Sequence, residues 1–118
     1  MLVYEAEVAG APTTLALFNN DGGSNGREVL FGTSDGKVGL VELGLEEPTP
    51  KWEIPNEKKH AGVSGLDSYD ITNDGIMDLL VCREDGIVEL YGYDSMDNPF
   101  LKFTYVIIFL AIFAKKIK

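Results

Sequence analysis

The stretch from Glu28 to Leu43, EVLFGTSDGKVGLVEL, recurs fifty positions later as DLLVCREDGIVELYGY between Asp78 and Tyr93. The two align without a gap, setting Leu30 on Leu80, Asp35 on Asp85, Gly36 on Gly86, Val38 on Val88 and Leu40 on Leu90. A period near fifty residues built from strand–turn–strand units is the mark of a radially repeated β structure. A stand-alone β-sandwich of eight or nine strands is the alternative. It accommodates the strand number but gives no reason for the regular period.

Each copy divides at an Asp-Gly pair, Asp35-Gly36 and Asp85-Gly86. Asp and Gly tolerate the positive φ of a two-residue type I′ turn, so a tight hairpin is expected at each. The flanks are short and apolar: Val29–Thr33 with Lys37–Leu43, and Leu79–Arg83 with Ile87–Tyr93. Upstream lie Thr14–Asn19 and Gly65–Asp70, each running into an Asn/Asp-rich turn. Downstream, an aromatic residue follows a lysine in Pro50–Ile54 and again in Leu101–Tyr105, and the opening Val3–Ala6 matches the same strand. Tyr4, Trp52 and Phe103 then fall 48 and 51 positions apart.

Four short strands at that spacing make a β-propeller blade. The predicted fold is all-β: a partial β-propeller with one strand of a preceding blade and two four-stranded blades, about 8–54 and 55–105. Residues 106–118 form an apolar and basic tail outside the native fold. A propeller closes with about four to eight blades. Two would leave sheet edges unpaired, so the chain is expected to be a slice of a larger propeller.

Asp and Glu outnumber Lys and Arg by 19 to 10, which argues against a nucleic-acid partner. Cys82 is the single cysteine, so no intrachain disulfide forms and a reducing compartment fits. No signal peptide opens the chain and no Asn-x-Ser/Thr acceptor occurs. The body reads as cytosolic. Phe103 to Ala114 is uncharged over 12 residues and ends in Lys115-Lys116-Ile117-Lys118. That pattern resembles a dilysine retrieval signal, yet a bilayer span takes about twenty apolar residues. An unspliced or mispredicted exon end is the favoured reading of the tail, with a tail anchor and a strand of the next blade as alternatives.

One loop could carry chemistry: Asp70-Ile71-Thr72-Asn73-Asp74-Gly75-Ile76-Met77-Asp78. Its acidic positions one, five and nine, with Gly at six, resemble the calcium loops of integrin-type FG-GAP blades, where alternate oxygens converge on the ion. Thr72 replaces the usual acidic or amide ligand at position three, and the first-blade loop Asn19–Glu28 lacks an Asp-Gly pair at the matching centre, where Ser24-Asn25 stand. The favoured reading is that Asp70 and Asp74 cap backbone N–H groups while Asp78 starts a strand.

His60 is the only histidine, so a His-based metal cluster is excluded, and it reads as a solvated loop residue. Cys82 reads as a small buried apolar residue. Glu57–His60 is a solvated charge run. Trp52 either packs between blades or anchors a partner, packing being preferred. No catalytic, cofactor-binding or metal-binding residue is assigned, and no small-molecule substrate is implied.

The strings Leu30–Lys37 (LFGTSDGK) and Lys51–Lys59 (KWEIPNEKK), with Asp78–Val81 and Asp85–Gly92, are more distinctive than a generic blade. In this order and spacing they resemble the N-terminal β-propeller of the Bardet-Biedl syndrome 7 family, over roughly residues 3 to 103. The resemblance implies a non-enzymatic scaffold subunit of the BBSome, the coat-like complex that moves membrane proteins to cilia and serves cilium assembly. It implies other BBSome propeller subunits as partners, the syndrome 2 protein especially. An Arf-like GTPase, the intraflagellar transport machinery and ciliary membrane cargo would be engaged indirectly. The expected locations are cytoplasm, ciliary basal body and ciliary membrane. Such a chain would begin at a late blade and end before the family's coiled coil. A calcium-binding FG-GAP-type adhesion propeller is the alternative function.

Overall fold

The computed structural model describes residues 10–18, 27–44 and 47–107. Val3–Ala6, most of the Asn19–Glu28 loop and the tail from residue 108 lie outside the described residues. Eight strands form: β1 (Pro12–Phe18), β2 (Arg27–Thr33), β3 (Val38–Leu43), β4 (Thr49–Ile54), β5 (Val63–Tyr69), β6 (Asp78–Arg83), β7 (Ile87–Tyr93) and β8 (Pro99–Val106). They pair into two antiparallel four-stranded sheets, β1-β2-β3-β4 and β5-β6-β7-β8. The sheets meet through their first strands, β1 and β2 lying against β5. Val106 pairs with Ile87, so β8 runs one residue into the stretch read as tail.

The fifty-residue period is carried into the register. Leu30 faces Leu40 in the first sheet as Leu80 faces Leu90 in the second, and Gly32 faces Val38 as Cys82 faces Val88. The irregularities repeat as well. Thr13 and Ser64 are each the extra residue where the inner strand joins its neighbour. Lys51 and Lys102 are each the extra residue in the outer strand. A bulge bends its strand and sharpens the local twist, so both blades are twisted by one device.

The Asp-Gly pairs do make hairpins, but not of the type I′ form. Gly36 and Gly86 hold φ of 89° and 88°, whereas neither Asp35 nor Asp85 is among the residues of positive φ. Thr33 N–H donates to Lys37 O at 3.0 Å and Gly36 N–H to Thr33 O at 3.1 Å, enclosing three residues. This is a type I turn closed by a left-handed Gly. Only the Gly needs positive φ, which frees the Asp35 carboxylate to accept from the Thr33 hydroxyl.

The core lies in the seam between the blades. Cross-strand pairing lines up Ala16, Leu30, Leu40 and Trp52 on one face of the first sheet. Leu30, Val38 and Leu40 pack with Val63, Leu79, Val81 and Tyr91 of the second sheet. Each such aliphatic side chain contributes about 1.5–3 kcal/mol by leaving water. Trp52 sits in this seam, its ring 6.2 Å from that of Tyr93, and the Phe18 ring lies 5.4 Å from the same tyrosine. The expected packing between blades is what the Trp52 side chain does. Gly32 lets the blades approach: a Cβ there would lie 2.5 Å from Val63 Cγ1. Cys82, at the matching position, is only half-buried rather than fully so.

Candidate interaction surface

At one end of the blades sit the Asp-Gly hairpins and the β4–β5 connection. Arg83 organises this end. Its side chain is 2 % exposed and that of Glu89 is 4 % exposed, with Nε 2.6 Å from Glu89 Oε1. Nη1 donates to Gly36 O at 3.0 Å and to Ala61 O at 2.9 Å. One guanidinium therefore joins its own sheet, the turn of the preceding blade and the linker between them. Asn56 adds to this by donating from Nδ2 to Asp35 O at 2.8 Å and His60 O at 2.7 Å. Its Oδ1 accepts from His60 N–H at 2.8 Å. His60 is held here through its backbone. The bulge residue Thr13 bonds the seam from the inner strand, its hydroxyl donating to Val63 O at 2.7 Å.

The acidic loop stands at the opposite end. Asp70 accepts from the N–H groups of Asp74 (3.1 Å) and Gly75 (2.7 Å), and Asp74 accepts from Ile76 N–H at 2.9 Å. Asn73 and Gly75 hold positive φ, which curls the loop around those bonds. The Ile76 amide is the main cause holding the Asp74 carboxyl below the usual range. Asp35, at the other end, is likewise lowered, chiefly by the Thr33 hydroxyl. Asp78 is buried at the start of β6, with Lys102 Nζ at 3.4 Å and the Thr72 hydroxyl at 3.4 Å. The carboxylates of the loop thus accept from backbone amides and, at Asp78, face a lysine. Among the described residues no group of three His, Cys, Asp or Glu is placed to hold a metal.

Beside this loop, the two blades part to leave a cleft of about 470 Å³ floored by Phe18, Leu40, Trp52 and Tyr93. The Tyr93 hydroxyl is buried and has no hydrogen-bond partner. Burial first, and then the negative charges of Glu28 and Asp78, push the Tyr93 phenol well above its ordinary range. Glu28 at the rim is also raised, by burial against the opposing pull of Lys51.

Sequence reasoning missed Arg83, Glu89, Asn56 and Thr13. The available signal was the pair of opposite charges, Arg83 and Glu89, inside mainly apolar strands, since charges in such places are paired.

Two four-stranded blades meeting at their inner strands, with a repeated bulge and turn chemistry, define a β-propeller segment. The chain belongs to the BBS7 β-propeller family, matching the family described as BBS7 beta-propeller over residues 1–108. It is 51 % identical over 102 residues to the BBSome complex member BBS7 of Mus musculus. It is 32 % identical over 102 residues to the BBSome complex member bbs-7 of Caenorhabditis elegans. Each alignment covers 86 % of this chain and 14 % of the relative, so the chain spans a small part of the length of these curated proteins.

Proposed function

We propose that this chain is a non-enzymatic scaffold segment of a BBSome-like coat subunit acting in the movement of membrane proteins to the cilium. The observation that carries this reading is the 51 % identity to a named BBSome complex member across 86 % of the chain. The structure adds a physical reason for a scaffold role. Arg83, Glu89 and Asn56, which converge at one end, and Asp70 at the other, direct their hydrogen bonds to strands, turns and the seam. Other propeller subunits of the complex are the direct partners in this reading, and transport machinery and cargo are engaged through them. The matching locations are cytoplasm, basal body and ciliary membrane.

The test is a chimera in which residues 10–105 replace the matching segment of the mouse relative in cells lacking it. Co-purification of the chimera with the remaining subunits, and recovery of ciliary entry by a membrane cargo, is the expected result. A chimera that folds and accumulates yet stays outside the complex refutes the proposal.

A further inference from the structure

We propose that the cleft between the blades docks a basic, amphipathic segment of a partner protein, with an apolar side chain in the cleft and Lys or Arg residues on its rim. The floor is aromatic and aliphatic. Above it stand Ile76, Met77 and Met96, which are 62 %, 39 % and 79 % exposed. Three large apolar side chains held at the mouth of one cleft, by two different loops, are a surface with unspent hydrophobic energy. Methionine in particular adapts its shape to what it meets.

Charge selects the occupant. The β5–β6 and β7–β8 loops bring Asp70, Asp74, Asp94 and Asp97 to this end, and Glu28 and Asp97 line the cleft itself. The two lysines of this end are already paired, Lys51 with Glu42 at 3.5 Å and Lys102 with Asp78 at 3.4 Å. An acidic segment would meet like charge, whereas a basic one gains attraction on arrival. This goes beyond the coat-subunit reading and does not rest on it, since the cleft belongs to these two blades whatever assembly they serve.

Trp52 is the only tryptophan of the chain and forms part of the floor, so its emission reports occupancy directly. The purified chain is titrated with a fluorescein-free nine-residue peptide of alternating Lys and Leu. A Lys-Gly peptide of equal charge and a Glu-Leu peptide of equal apolarity are run beside it. The expected result is a saturable change in Trp52 emission with the Lys-Leu peptide alone, weakening as salt is raised. Its Kd should rise at least tenfold in Ile76→Ser/Met96→Ser, two exposed positions whose change leaves the core intact. Thermal melts confirm that the variant is folded. No emission change up to millimolar peptide overturns the proposal, as does an equal response to either control peptide or an unchanged Kd in the variant. A concentration-dependent shift of Trp52 without peptide, lost in the variant, assigns the cleft to a second copy and overturns it too. Failure here leaves the chimera result untouched.

Discussion

Arg83 gives the sharpest test of what holds the blades together. Replacing it by Met keeps the length of the stem but removes three hydrogen bonds, to Glu89, Gly36 O and Ala61 O. It also strands a carboxylate that is 4 % exposed. Breaking one side of a buried ion pair costs about 3–5 kcal/mol. Adding Glu89→Met removes the stranded charge, so the double variant should be more stable than the single one at pH 7. Urea unfolding followed by Trp52 emission and far-ultraviolet circular dichroism measures all three proteins. Should Arg83→Met be too unstable to populate, Glu89→Gln retains an acceptor for the guanidinium and is expected to cost about 1–3 kcal/mol. An Arg83→Met penalty below about 1 kcal/mol at pH 7, or one that Glu89→Met does not relieve, refutes the reasoning.

Gly32→Cys copies the second blade into the first and drives a Cβ to 2.5 Å from Val63 Cγ1. Overpacking of this kind costs about 1–3 kcal/mol, read as a lower urea midpoint, whereas Cys82→Gly should leave the blade spacing unchanged. Thr13→Val deletes the hydroxyl that reaches Val63 O and should cost about 1 kcal/mol; a neutral result would show that the inner-strand bulge does not tie the blades. Asp35 and Asp74 are lowered in the folded state, so their contribution is present above about pH 4 and lost as pH falls through their folded values. The acid limb of Tm against pH should accordingly be shallower in Asp35→Asn/Asp74→Asn, and an identical limb would dismiss both bonds. Millimolar calcium should leave Tm within about 1 °C, because Asp70 and Asp74 are bonded to backbone amides; a larger rise that vanishes in Asp74→Ala would revive the calcium loop.

How much of this was legible follows from the range of each interaction along the chain. A repeat is a statement about positions fifty apart, so blade order, strand boundaries and the seating of Trp52 could be read from Leu30, Leu80 and the lysine–aromatic pairs. The turn type could not. Asp-Gly serves both a two-residue and a three-residue hairpin, and the choice was made by Ser34 entering the loop and the Thr33 hydroxyl binding Asp35. The capping roles of Asp70 and Asp74 were legible because an Asp accepts from amides a few residues ahead whatever surrounds it.

The clasp was hidden for a different reason. Thr33 and Arg83 occupy equivalent positions in the repeat, and both are buried at the end of the second strand of their sheet. Thr33 finishes its hydrogen bonding within its own turn, through Asp35 and Lys37. Arg83 is long enough to cross the seam and satisfy carbonyls of the turn before it and of the linker. Its partners Gly36 and Ala61 offer only backbone oxygens, which leave no mark in the side-chain sequence. Only Glu89 does, six residues away on the adjacent strand. A period in the sequence thus specifies what the blades share, including the aliphatic residues of the seam, while the polar clasp that joins one blade to the next rests on Arg83, a position where the two copies differ.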